Sequence, residues 1–238
     1  MSANPINDTK MTKNEKSELK NILVEIVSNH WEKYLKNKLK KDLIGGKLKS
    51  WDTQGEDVDF LLASTLSRSY DSSRGNLWEK ILFAISSYYN DKTFKKVKGL
   101  KLKSNGKEWI VDLAFERDGK TYLIELKLGG ELDNKKAKSE SDALLERKEV
   151  LIENKISSEV QTYLGIITLS NGENSPMDWD MGRVSLGFTR NEVLVERELF
   201  DFVSNNPDVF NFIKEEIQPF AMKEWKSVKE KIKSKYLN

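Results

Sequence analysis

The feature that most constrains the fold is an Asp-Gly pair between two apolar runs in the middle of the chain. Asp118-Gly119 separates residues 109–115 from residues 121–128, and each run has the length of a β-strand. Asp-Gly favours a two-residue type I′ turn, because both central residues of that turn need a positive φ. The sequence therefore predicts a tight antiparallel hairpin.

This turn fixes which residues of the two strands face one another. Continuing the pairing outward from the turn places Asp112 directly opposite Glu125, and Lys127 follows on the same face as Glu125. Cβ atoms of facing residues lie about 4.5–5.5 Å apart. Two facing carboxylates can therefore bind one divalent ion, together with a backbone carbonyl such as that of Leu126. We expect the opposite, apolar face to pack and this polar face to stay exposed.

The rest of the chain predicts helices around a small sheet. Apolar residues recur at helical spacing over residues 16–39, 57–66, 77–88, 133–154 and 191–236. Further strand-like runs lie at residues 94–102, 160–169 and 182–188. The polar stretch 67–76 is expected to separate two helices, and Pro207 and Pro219 are expected to interrupt the C-terminal helices.

The length of 238 residues suits one large domain. We expect a flexible leader at residues 1–15 and a single domain over 16–238, with helical N- and C-terminal segments. The leader lacks the apolar stretch of a secretory signal, there is no cysteine, and no apolar run reaches the length of a membrane helix. These features predict a cytoplasmic protein that has no membrane partner.

The composition excludes several kinds of catalytic site. With no cysteine and a single histidine, zinc sites and Ser/His or Cys/His nucleophile pairs cannot be assembled. His30 lies in an amphipathic helical stretch, which favours a partly buried structural role. Hydrolysis would have to use carboxylates, lysines and hard metals. The net charge is only +2, but lysines cluster at residues 36–49, 92–107 and 135–138. Such clusters either follow a phosphate backbone or form solvated faces.

The spacing of the candidate site residues resembles the signature of a known superfamily. Asp112, twelve intervening positions and then Glu125-Leu126-Lys127 are similar to the signature of the PD-(D/E)XK nucleases, which include many type II restriction endonucleases. Val111 stands where the family name has proline, but that position is not a ligand. Residues 127–137 further resemble the TdeIII-type restriction enzymes. Many members add an acidic residue from a preceding helix, and Glu79 is similar in placement.

The resemblance implies a fold, an activity and a cofactor. The fold is α/β with a restriction-endonuclease-like core, in which a central mixed sheet begins with an antiparallel meander and is flanked by helices. The activity is that of a type II restriction endonuclease, which hydrolyses DNA at a specific duplex sequence and leaves 5′-phosphate ends. The cofactor is Mg²⁺, for which Mn²⁺ can substitute. Asp112, Glu125 and the Leu126 carbonyl would bind the metal, while Lys127 and Glu79 would complete the catalytic residues.

The same resemblance implies partners. They are double-stranded DNA, a second copy of the chain in a homodimer, and a cognate DNA methyltransferase in the same cell. Candidate DNA contacts are the polar residues Arg68, Arg74, Asn134, Lys135, Lys136 and Lys138.

Three other interpretations remain open. One is a repair or recombination nuclease of the same superfamily that recognises DNA structure rather than sequence. Another is a DNA-binding module without catalysis. In the third, Asp112, Glu125 and Lys127 form only a cross-strand ion network on the protein surface.

Overall fold

The computed structural model describes residues 10–38, 58–128, 134–167 and 187–236, and within them it describes only the backbone of residues 38, 58–68, 134–136, 233, 235 and 236. The chain divides into two compact units. One comprises Met1–Lys13 and Leu82–Asn211, and the other comprises Asn14–Ile81 and Phe212–Asn238. The single domain expected over residues 16–238 stays a prediction. No helix in the described ranges is long and apolar enough to cross a membrane.

The first unit is built on a five-stranded sheet in which neighbours in space are also neighbours in sequence. The strands are β1 Lys92–Lys101, β2 Glu108–Arg117, β3 Lys120–Leu128, β4 Val160–Ile167 and β5 Val193–Val195. β1, β2 and β3 are antiparallel, whereas β3, β4 and β5 are parallel. The predicted mixed α/β sheet with an antiparallel start is confirmed. β5 was not predicted, and residues 182–186 of the expected strand lie outside the described residues.

The predicted hairpin is also confirmed. Asp118 and Gly119 have φ of 52° and 75°, as a type I′ turn requires. Pairing runs from Arg117 opposite Lys120 to Leu113 opposite Ile124, which is the predicted register. An Asp-Gly turn and alternating apolar residues were sufficient to fix this part of the structure.

The prediction that one face of the hairpin stays exposed is wrong. Leu123, on the same face as Glu125, is fully buried, and Glu125 is only 7% exposed. Helix α3, Asn134–Glu153, packs on this face through Leu144 and Leu151. The reason is that β3 and β4 are parallel, so the chain must cross the sheet between them, and the crossover helix covers the face.

The opposite face of the sheet is covered by helix α4, Arg197–Ser204. The ring of Phe202 lies 5.3 Å from Tyr122 and 6.0 Å from Phe115. The Arg117 guanidinium lies 5.3 Å from the Phe115 and Phe202 rings and donates to the Phe202 carbonyl at 2.9 Å. These contacts fix the turn end of the hairpin.

The second unit is helical. Helix α1, Lys13–Lys33, continues as a π-helical segment, Tyr34–Lys38, and helix α2, Val58–Tyr89, begins in this unit. The break expected at residues 67–76 is wrong, because α2 is continuous there. Ser73 is buried and its Oγ lies 2.8 Å from Nε2 of His30, so a contact between α1 and α2 stabilises this polar turn. His30 is buried, as predicted.

The ends of the chain also differ from expectation. Helix α1 begins at Lys13, and the Met11 amide donates to Asp208 at 3.1 Å, so the helix starts within the segment expected to be a leader. The flexibility of that leader stays a prediction. At the other end, helix α5, Asp208–Phe212, runs through a π-helical segment, Ile213–Ile217, into α6, Gln218–Tyr236. Pro219 therefore does not interrupt the helix. The π-helical segment before it adjusts the hydrogen-bond ladder that proline disturbs.

Candidate active site

Strand β2 bulges at Asp112. Along β1, Phe94 pairs with Ala114 and Lys96 pairs with Ile110, so two steps on β1 correspond to four on β2. Residues 111–113 therefore lie opposite the single residue Lys95, and the two extra residues form a β-bulge centred on Asp112. Bulges often redirect a side chain beside an active site. Here the bulge coincides with the last pair that β2 forms with β3, Leu113 with Ile124.

The Asp112 side chain joins the two strands where their backbone pairing stops. Its Oδ2 accepts a hydrogen bond from the Leu126 amide at 2.8 Å. The half-buried carboxylate is therefore held beside β3, next to Glu125, by a backbone donor. Asp112 has a structural contact in addition to any role in chemistry.

Lys127 lies between two carboxylates. Its Nζ is 2.9 Å from Oε1 of Glu125 and 2.8 Å from Oε1 of Glu140 on α3. The Glu125 side chain is 10% exposed, and those of Lys127 and Glu140 are 26% and 25% exposed. Pairs shielded to this degree interact more strongly than surface pairs. The structure thus brings Asp112, Glu125 and Lys127 together and adds Glu140.

The site contains more negative charge than Lys127 neutralises. Burial, followed by the nearby Asp112, raises the pKa of Glu125 from an ordinary 4.5 to about 7, although Lys127 opposes the shift. Burial lowers the pKa of Lys127, but hydrogen bonds and charge from Glu125 and Glu140 outweigh it, so the net shift is upward. Lys127 is therefore a protonated cation at neutral pH.

Glu140 was missed in the sequence analysis, although a signal was present. Buried Ala137 and Leu144 mark the side of α3 that faces the sheet, and Glu140 follows Ala137 by three residues and precedes Leu144 by four. Residues at these spacings share one helix face. An acidic residue on a buried face needs a positive partner, and Lys127 provides it.

The donor set suits a hard divalent cation. Asp112 and Glu125 offer carboxylate oxygens, which Mg²⁺ prefers, and a cation between them would offset the repulsion of two neighbouring carboxylates. Among the described residues, no group of three or more His, Asp or Glu side chains is arranged to hold a metal. The Asp112 and Glu125 pair is therefore the candidate, and the Leu126 carbonyl stays a predicted ligand.

The structure does not test the other predicted site residues. Glu79 lies on α2 within the second unit and is half-buried, so its catalytic role stays a prediction. Arg74, also in the second unit, is exposed and lies 5.7 Å from the Tyr70 ring centre. Lys138 is exposed on α3. The side chains outside the described residues are those of Arg68, Asn134, Lys135 and Lys136.

Comparisons with known proteins bear on this site. Residues 107–221 match the family model of the type II restriction endonuclease HinfI. No curated protein matches the chain. Among solved structures, the small subunit R.BspD6I2 of the heterodimeric restriction endonuclease R.BspD6I is 12% identical, over 67% of this chain and 90% of that chain, with a TM-score of 0.33. A score this low does not establish a shared fold.

The family match contains every residue of the candidate site, from Asp112 to Glu140. It names the HinfI family and not the TdeIII-type enzymes, so the narrower resemblance is not supported. The match over residues 107–221 supports the resemblance to type II restriction endonucleases of the PD-(D/E)XK kind that the sequence indicated.

Proposed function

We propose that the chain is a Mg²⁺-dependent type II restriction endonuclease that hydrolyses phosphodiester bonds of duplex DNA at a specific sequence and leaves 5′-phosphate ends. The observation that carries this proposal is the buried Glu125 carboxylate between Asp112 and protonated Lys127, inside the region that matches the restriction endonuclease family. Two acids and a cation at one point in a sheet are what metal-assisted phosphodiester hydrolysis needs.

Asp112 and Glu125 are the proposed metal ligands. When bound, Mg²⁺ would supply an acidified water and positive charge for the phosphate. The Leu126 amide keeps the Asp112 carboxylate oriented, and α3 excludes bulk water from Glu125. The low-dielectric surroundings strengthen electrostatic interactions there.

Lys127 stabilises negative charge in this proposal and does not act as a base. Its raised pKa keeps it protonated, and a protonated ammonium has no lone pair to accept a proton. Glu125 and Glu140 each take one hydrogen bond from Nζ, so one of its three donors remains for a phosphate oxygen. That donor would offset the charge that builds on the scissile phosphate.

The partners follow from the proposed activity. Cutting both strands at a palindromic site is most simply achieved by a two-fold dimer of the chain. A cell that contains such an enzyme needs a cognate DNA methyltransferase to protect its own DNA. Analytical ultracentrifugation of the purified chain with duplex DNA would test the dimer, because a monomer on the cleaved duplex would contradict it.

The central experiment is digestion of plasmid DNA by the purified chain with Mg²⁺, with Mn²⁺, with Ca²⁺ and with EDTA, followed by sequencing of the cut ends. We expect discrete bands with Mg²⁺ or Mn²⁺, binding without cleavage in Ca²⁺, and neither bands nor nicks in EDTA. Full activity in EDTA would contradict metal dependence. Cleavage confined to branched or flapped substrates would favour a structure-specific nuclease instead.

A further inference from the structure

The most unevenly charged segment of the chain is strand β1 with the turn that follows it. Residues 92–107 contain seven lysines and no acidic residue, in a protein whose net charge is only +2. Among the described strands, β1 is also an edge of the sheet, because it pairs with β2 alone. This basic edge is defined here by its three exposed central lysines, Lys96, Lys98 and Lys101.

Within the described residues, the lysines of the basic edge differ from two other lysines of the segment in having no ion-pair partner. Lys92 pairs with Glu116 at 2.7 Å, and Lys103 pairs with Glu153 at 2.5 Å. By contrast, no ion pair of the described residues involves Lys96, Lys98 or Lys101. Because no described carboxylate forms an ion pair with these three lysines, their charges can attract an external anion.

The basic edge adjoins the candidate site. Lys96 pairs with Ile110, two residues before Asp112, and the bulge at residues 111–113 lies opposite Lys95. Neighbouring strands are about 4.8 Å apart, so the free lysines begin one strand away from the proposed metal ligands. A polyanion that reaches Asp112 would pass close to them.

Lysines on an edge strand also have a simpler explanation, because they discourage the edges of two sheets from pairing and aggregating. That explanation requires charge anywhere along the edge. It does not account for charge concentrated beside the site, nor for the absence of acids. A duplex DNA backbone, with one negative charge per about 1.7 Å of axis, complements this arrangement.

We propose that Lys96, Lys98 and Lys101 bind phosphates of duplex DNA that flanks the scissile bond. The inference rests on the proposed function, because it assumes that DNA is the substrate. Phosphate contacts of this kind position a duplex without reading its sequence. They give an affinity for DNA that falls steeply as the salt concentration rises.

The test compares two triple variants with the wild-type chain. One is K96Q/K98Q/K101Q, and the matched control is K223Q/K226Q/K229Q, which removes three exposed lysines from α6. Binding of a fluorescent duplex of mixed sequence, about 30 base pairs long, is measured by anisotropy in Ca²⁺ over a fourfold range of salt. Sedimentation and thermal melts confirm that each variant is folded and unaggregated.

We expect K96Q/K98Q/K101Q to reduce the slope of log affinity against log salt by about 2.7, so that the wild type loses about 40-fold more affinity than this variant over the fourfold range. The control should keep the wild-type slope. An unchanged slope in K96Q/K98Q/K101Q, or an equal change in the control, would overturn the inference while leaving the proposed function intact. Failure of the wild type to bind any duplex would overturn both. Aggregation of K96Q/K98Q/K101Q with an unchanged slope would show that the lysines only protect the edge.

Discussion

The Leu126 amide nitrogen lies 2.8 Å from Oδ2 of Asp112, just beyond the last backbone pair of the central hairpin. A proposed metal ligand is thus also a structural link between β2 and β3. A substitution at Asp112 can therefore change stability, by removing the acceptor for the Leu126 amide, and catalysis, by removing the negative charge. Experiments can distinguish the two effects.

The first prediction separates these two roles. Asp112→Asn keeps an oxygen that can accept the Leu126 amide but loses the charge, whereas Asp112→Ala loses both. We expect both variants to lose DNA cleavage by at least about 100-fold. Only Asp112→Ala should lower the free energy of unfolding substantially, by about 1–3 kcal/mol, because it leaves a buried donor unpaired. Urea denaturation and plasmid nicking measure the two effects. Equal stability of the two variants would contradict the structural role.

The second prediction concerns the pH dependence of stability. The pKa of Glu125 is raised from 4.5 to about 7 by burial and by Asp112, so the folded chain holds this proton more tightly than the unfolded chain. Stability from this group is therefore fully present below pH 4.5 and is lost as pH rises to 7.

In EDTA, Glu125→Gln should match the wild type near pH 4.5 and exceed its unfolding free energy by about 1–3 kcal/mol at pH 8. Glu149→Gln, at an exposed position on α3, serves as the control and should show no such trend. Chemical denaturation across pH gives the comparison. A difference that stays constant with pH would contradict the raised pKa.

The third prediction is that protons and Mg²⁺ compete for Glu125. At limiting Mg²⁺, the cleavage rate should rise through about pH 7, as the carboxylate loses its proton. Raising Mg²⁺ about tenfold should move this midpoint to lower pH by up to about one unit, because metal binding displaces the proton. Single-turnover rates across pH at two Mg²⁺ concentrations provide the measurement. A pH midpoint that does not change with the Mg²⁺ concentration would contradict the assignment of Glu125 as a metal ligand.

The fourth prediction tests Glu140. Glu140→Gln removes one of the two carboxylates on Lys127 and a charge that raises the pKa of Glu125. We expect the pH midpoint of cleavage to fall, with the maximal rate reduced by no more than about tenfold, whereas Lys127→Ala should cost about 100-fold. Asp142→Asn, at an exposed position on the same helix, should leave the midpoint in place. Identical pH profiles for Glu140→Gln and the wild type would show that Glu140 does not tune the site.

The fifth prediction concerns Glu79. If its carboxylate assists the metal site, Glu79→Gln should slow cleavage about 10- to 1000-fold without weakening DNA binding in Ca²⁺. If Glu79 is only a surface residue, stability should change by less than about 0.5 kcal/mol and the rate should not change. Rates measured across a titration of low Mg²⁺ decide between these outcomes. Wild-type rates throughout would confine the site to the residues on the sheet and α3.

The hairpin was predictable because its determinants are local. The Asp118-Gly119 turn and the alternating apolar residues on either side specify the register without reference to the rest of the chain. Three candidate site residues, Asp112, Glu125 and Lys127, follow directly from that register. The bulge at Asp112 was not predictable, since it depends on how β1 pairs with β2.

The predictions that were wrong depend on contacts between segments that lie far apart in the sequence. The burial of Glu125 depends on the parallel pairing of β3 with β4, which places α3 over the sheet. The continuity of α2 depends on Ser73 meeting His30, 43 residues earlier. Polar residues that look like a loop in sequence become helical when their side chains find partners in another helix.

The two-residue turn at Asp118-Gly119 also has a consequence for how the protein folds. It brings Asp112 and Glu125 together across a very short loop, and closing such a loop costs little chain entropy. Contacts between residues near in sequence form fast, so the hairpin with its two carboxylates can form before the parallel strands β4 and β5 are added. With this order of assembly, the two like charges would approach each other before α3 buries them, while water still screens their repulsion.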